Sequence, residues 1–203
     1  MRKLAKIMGT CMLLAALAWF GTVLADRQSL NENVIRLHVV AASDSEEDQQ
    51  IKLQVRDALI ETLQPGMDGL ADADAAKEYL MSRLEDLEET ANRILTEAGS
   101  EDQATVTLAK EAFSTRDYDT FSLPAGVYES LRVTIGQGEG ENWWCVVFPS
   151  LCLPATSEGF EDAAAGAGFQ DGLTNTLQQE DGYEIRFFFL DCLGWLENLF
   201  HKG

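Results

Sequence analysis

The chain has 203 residues and a formal charge of −19, from 34 acidic against 15 basic residues. A surface this acidic repels phosphate backbones and anionic headgroups, which argues against nucleic acid as a partner. Hydrophobic residues at 46% and charged residues at 24% are globular values; they exclude a wholly disordered chain and a multi-span membrane protein but leave room for one apolar segment.

That segment opens the chain. Arg2, Lys3 and Lys6 precede an uncharged run from Ile7 to Ala25. It reads as an export signal cleaved after Ala25, or as an uncleaved anchor of about 20 residues. The basic flank sends everything beyond residue 25 to the non-cytoplasmic side in either case. A short polar stretch, 26–33, leads to Val34–Val40, a β-branched run that reads as a strand. Then the period changes. Ser43-x-x-Glu46 offers a capping box with an acidic first turn, and Ile51, Val55, Leu59 and Leu63 follow at spacing four until Pro65-Gly66 ends the helix. A second helix is predicted over 74–98 from Leu80, Leu84, Leu87, Ala91, Ile94 and Ala98, with Gly99 at the stop position.

Thr105–Leu108 is a predicted strand and Phe121–Gly126 a turn. From Glu129 to Ile135 the alternation is clean: Leu131, Val133 and Ile135 line one face, and Ser130, Arg132 and Thr134 a wet or functional one. Across the glycine turn 136–140, Asn142–Phe148 is apolar, as for a strand covered on both faces, and the two strands are expected to form a hairpin. Residues 154–182 are rich in Ala, Gly and acid, and are expected to be a flexible insert. Tyr183–Phe189 reads as a last strand, followed by a C-terminal helix through Phe189, Leu193, Leu196 and Phe200 that docks on the core. Its Asp191 and Glu197, with no basic stripe, make it a poor membrane binder. The expected fold is α+β: a helical hairpin on a small mixed, mainly antiparallel sheet, with a C-terminal helix. One domain comprises 26–153 and 183–203.

Export changes how the cysteines read. Cys11 lies in the signal, leaving Cys145, Cys152 and Cys192 where disulfides persist. Cys145 and Cys152 close an easy eight-residue ring through Pro149, a staple of about 2.5 kcal/mol in the chain-entropy model. The alternative is three buried thiols. No HExxH, GxSxG or Walker A spacing occurs, and there are only two histidines, so neither a metal site nor a catalytic set is expected. Two polar clusters stand out. Asp44, Asp48, Lys52 and Arg56 recur at spacing four, either as a solvated ladder or, with Ser43, as a charged surface next to His38. Trp143 and Trp144 are adjacent on a strand, so their rings face opposite ways and the outward one is a candidate binding anchor.

LHVVAASDSEEDQQIKLQVRDAL at 37–59 and FSLPAGVYESLRVTIGQGEGENWWCVVFPSLC at 121–152 together resemble the stage II sporulation protein R family, in the family's order and behind an export signal. Ala42 and Ser150 depart from the family pattern, which usually has Asn and Pro there. The resemblance implies a protein made in the forespore and secreted into the space between the two membranes of the sporulating cell. There it activates a membrane-embedded aspartic protease of the mother cell that processes a pro-sigma factor. It implies no catalysis by this chain, no cofactor and no small-molecule substrate. His38, Ser43, Asp44, Asp48, Lys52, Arg56, Arg132, Trp143 and Trp144 are the candidate partner-binding residues. A secreted cell-wall or peptide hydrolase and a wall-binding module stand as the alternatives.

Overall fold

The computed structural model describes residues 2–67, 69–149, 157–179 and 184–201. It is an α+β fold: helices α1 (Arg2–Asn33), α2 (Glu46–Met67), α3 (Ala73–Glu97), α4 (Ser157–Gly166), α5 (Asp171–Leu177) and α6 (Glu184–Phe200), with strands β1 (Ile35–Val40), β2 (Ala104–Phe113), β3 (Arg116–Asp117), β4 (Ser122–Leu123), β5 (Gly126–Ile135) and β6 (Asn142–Phe148). Four strands form a mixed sheet in the order β2-β5-β1-β6, and β3 pairs with β4 separately. The α2–α3 hairpin covers one sheet face; Leu37, Val39, Leu131 and Val133 are buried there with Val55, Leu59, Leu80 and Leu87.

The ends of the helices follow local chemistry. Ser45 Oγ accepts the Asp48 N–H at 3.1 Å and so caps α2, while Asp72 Oδ1 accepts the Ala75 N–H at 2.9 Å and caps α3. The box predicted at Ser43-x-x-Glu46 is therefore shifted by two residues. Pro65 sits inside the last turn of α2 rather than ending it, because the helix stops two residues later and little of its ladder depends on the missing N–H.

The predicted β5–β6 hairpin is not formed. β1 lies between them, parallel to β5 with Leu37 opposite Leu131, and antiparallel to β6 with His38 opposite Trp144. The connection at 136–141 has the length to cross two strand spacings of about 4.8 Å each. It passes over the end of β1, where the Gly140 N–H donates to the Ala41 carbonyl at 3.0 Å. A Cβ at Gly140 would strike the Ser43 carbonyl. β6 is thus an edge strand, exposed at Asn142 and Trp143 and buried from Cys145 onward, not covered throughout.

Three further expectations change. The 26–33 stretch is helical and continues α1, with Asp26, Arg27 and Leu30 buried. The 154–182 region contains α4 and α5, whose Phe160, Ala164, Leu173 and Leu177 enter the core with Phe169 of the connection between them; Phe160 stacks on Phe121 with centroids 4.5 Å apart. Tyr183 lies outside the described residues, and from Glu184 the expected last strand is helix α6. The Phe187–Phe189 run is partitioned around it: Phe187 packs inward and Phe188 is exposed. Cys145 is buried; Cys152, its expected disulfide partner, lies outside the described residues, and Cys192 is exposed on α6.

Candidate functional site

Alternation along β6 sends its two tryptophans to opposite faces of the sheet and divides the candidate residues into two groups. On the helix-covered face, Trp143 is 37% exposed and Arg56 of α2 lies over its ring, 4.3 Å from the centroid. The other charged residues of α2 join this region by fastening the 136–141 connection. Asp44 Oδ1 accepts the Glu141 N–H at 2.7 Å, and Lys52 Nζ donates to the Glu141 carbonyl at 3.0 Å and to Gln49 Oε1 at 2.5 Å. The Ser43 hydroxyl donates to Asp48.

The expected i,i+4 ladder of ion pairs is absent from these described residues, because each acid is engaged by a hydroxyl or a backbone N–H and Lys52 is almost wholly buried. Burial pushes the Lys52 ammonium below its ordinary value, and Glu141 and Asp44 oppose that effect. Arg56 is half-buried, with its Nε 2.7 Å from Asp57, and Asp44 is the most exposed of the four.

On the opposite face, Trp144 stacks on His38 with ring centroids 3.7 Å apart and meets the edge of Phe113 at 5.0 Å. His38 Nδ1 is 2.9 Å from Glu111 Oε1, and its Nε2 is 2.7 Å from Asn142 Oδ1. Arg132 reaches the same Glu111 oxygen at 3.2 Å. Burial pushes the Glu111 carboxyl up, but the hydrogen bond and charge of His38, with Arg132, outweigh it and hold the group below its usual value. Beneath them Arg36 is fully buried, its guanidinium 4.1 Å from the Phe113 centroid and its Nη2 donating to the Tyr118 hydroxyl at 2.9 Å.

His38 is therefore not beside the α2 residues: β1 itself separates them. Arg132 belongs with His38, as its strand face implied. Glu111, Asn142, Arg36 and Tyr118 escaped the sequence reading. Glu111 was missed because its strand was ended at Leu108, whereas the strand runs on to Phe113 with its alternation broken at Ala109–Lys110, so that Glu111 and Phe113 are covered on the face opposite Ala104 and Val106. Both His38 nitrogens face oxygen acceptors, so neither is directed at a hydroxyl or thiol nucleophile. Among the described residues, no three His, Cys, Asp or Glu side chains form a group that could hold a metal ion. The arrangement supplies rigidity beneath Trp144 and an exposed Trp143 ring packed against half-buried Arg56.

Comparison with known proteins adds the lineage. No solved structure matches the chain. The stage II sporulation protein R of Bacillus subtilis (strain 168) is 31% identical over 188 residues, covering 83% of this chain and 82% of that protein. The sequence model for that family matches residues 31–158, a span from the end of α1 through β6 that contains both aromatic clusters. With the family's own match covering more than half of its length, this chain belongs to the stage II sporulation protein R family.

Proposed function

We propose that this sporulation protein is a non-catalytic activator, exported from the forespore, which switches on a membrane-embedded protease of the mother cell and so starts processing of a pro-sigma factor of the sigma E type. The observation that supports this reading is the Trp143–Arg56 platform, an exposed edge-strand tryptophan backed by a half-buried arginine of α2 beside a fastened loop. A ligand activates a receptor only through tighter binding to the active arrangement, and a rigid aromatic anchor suits that task because little of its freedom remains to be lost on binding. Family membership supplies the sporulation context, and the basic flank and apolar run of α1 supply the route out of the cytoplasm.

The test is reconstitution: the full chain is added to vesicles holding the receptor-protease and its pro-sigma substrate, and processing is followed. Processing begins with the wild-type protein and fails with Arg56→Ala or Trp143→Ala at unchanged thermal stability. Normal processing by both variants removes the platform from the contact surface, and no processing by any of the proteins removes the activator reading.

A further inference from the structure

The sheet has two outer strands, and their free edges differ. β2 is guarded: Asn92 of α3 accepts the Ala104 N–H at 2.8 Å and donates to its carbonyl at 3.1 Å, Glu88 accepts the Val106 N–H at 2.9 Å, and exposed Lys110 stands farther along. Such side chains blunt an edge that would otherwise pair with another chain. On β6, the Ala41 N–H donates to the Glu141 carbonyl at 3.5 Å, and the register runs on through Val39–Trp143 and Leu37–Cys145. Antiparallel pairs alternate, so Trp143 and Cys145 turn their backbone groups to β1, whereas Asn142 and Trp144 turn theirs outward. The stacking of Trp144 on His38, with centroids 3.7 Å apart, is what a pair without mutual backbone bonds allows. Among the described residues, nothing bonds the outward N–H and C=O groups of Asn142 and Trp144, and β6 has no strand on that side.

The two faces flanking this edge carry different chemistry. On the helix-covered face the Trp143 ring is 37% exposed, and Arg56 behind it is held by Asp57. Asp44 and Glu141 lie at the neighbouring loop, so that side has no cation to spare. On the other face Arg116 of β3 lies over the Trp144 ring, 5.2 Å from its centroid. Arg116 is exposed, and no carboxylate pairs with it among the described residues. The acids around it are already engaged: Asp117 accepts the Ser122 hydroxyl at 2.7 Å, and Glu111 is shared between His38 and Arg132. In a chain of 34 acidic and 15 basic residues, an exposed arginine without an acid is a site in want of one.

We propose that the outer edge of β6 at Asn142–Trp144 is a strand-addition site for an extended segment of a partner protein, one that sets an acidic side chain opposite Trp144, within reach of Arg116, and an apolar side chain next to it, opposite Trp143. A fifth strand adding antiparallel would bond to backbone groups already aimed at it, and its alternating side chains would fall on the two faces in that order. A second copy does not meet this requirement. Its own β6 would bring Asn142, Trp144 and Val146 toward Arg116, none of them acidic, and each chain carries a charge of −19 that opposes self-association. The site stands on the geometry of the sheet; that the segment belongs to the receptor-protease rests on the function proposed above.

The test uses the full chain in detergent micelles and a blocked peptide, Thr-Val-Asp-Val-Thr, at millimolar concentration, with hydrogen exchange read at single amides. The Asn142 and Trp144 amides are expected to exchange several-fold more slowly with the peptide present. Methylating the aspartate nitrogen of the peptide, or replacing that aspartate by lysine, is expected to abolish the protection, and Arg116→Gln, at an exposed position, to weaken it several-fold. Equal protection by the N-methylated peptide overturns strand addition, equal protection by the lysine peptide overturns the acidic partner, and no protection by any peptide overturns the site. Protection that grows with protein concentration alone overturns it in favour of a second copy. Added to the processing assay, the same peptide inhibits if the receptor supplies the segment. Protected amides with uninhibited processing leave the site standing and withdraw the receptor from it.

Discussion

Trp143 and Trp144 are chain neighbours with different work, and the difference is measurable. Trp144 is wedged between His38 and Phe113, so Trp144→Ala should cost about 3 kcal/mol, read from chemical denaturation. Trp143→Ala removes a ring that is already 37% exposed together with its Arg56 contact, and should cost less, about 1 kcal/mol. The α2 charges divide in the same way. Arg56→Ala should be nearly neutral in stability, whereas Asp44→Ala frees the Glu141 N–H and loosens the loop that crosses β1, at about 1–2 kcal/mol.

Glu111 gives a pH signature. Its folded-state carboxyl is held below the ordinary value of 4.5, so its stabilising contribution is present above that value and is lost as pH falls through the folded one. The stability gap between wild type and Glu111→Gln should therefore be largest near neutrality and shrink between about pH 5 and pH 3. A gap that stays constant across that range would mean that the His38 pairing contributes nothing.

At the scale of elements, what could be read from the sequence was what carried its own period and caps. The α2–α3 hairpin, β1 and β5 were legible because Ile51, Val55, Leu59 and Leu63, or Leu131, Val133 and Ile135, announce one buried face without help from the rest of the chain. The α4–α5 region was not legible, since its apolar positions are few and separated by Ala and Gly. Small residues let helices approach closely, and Phe160, Leu173 and Leu177 then suffice to fix them. Phe160→Ala should accordingly cost about 3 kcal/mol or more, and deletion of 157–177 should lower the thermal midpoint sharply, in contrast to the tolerance expected of a flexible insert. The site was half legible for a related reason: Arg132 and His38 were identified from their own strands, while Glu111 and Asn142 become neighbours only through a sheet order that local pattern does not encode. Gly194 belongs to this scale as well. A Cβ there would collide with the Ala125 carbonyl, so α6 lies on the start of β5 only because that position is bare.

For the whole molecule, α1 is two things in one helix. Residues up to Phe20 expose large apolar side chains, whereas Val23, Asp26, Arg27 and Leu30 are part of the domain. Arg27 ties Glu197 to the Tyr128 hydroxyl, at 2.6 and 3.3 Å. A chain beginning at Asp26 should fold cooperatively, while one beginning at Val34 should lose several kcal/mol through the missing Leu30 and Arg27 and melt without a sharp transition, as followed by circular dichroism.

The position of β1 has a consequence for how such a chain would fold during the proposed export. It emerges early, at residues 35–40, yet its parallel neighbour ends only at Ile135 and its antiparallel neighbour at Phe148. A chain threaded across a membrane from its N-terminus cannot close this sheet until more than a hundred further residues have followed. During that interval the α2–α3 hairpin and then the β2–β5 pair, whose contacts are closer in sequence, can form on the far side. One edge of β1 stays open until the strand that carries Trp143 arrives to cover it. On the proposed function, the recognition surface and the completed sheet would thus appear together, with the arrival of β6.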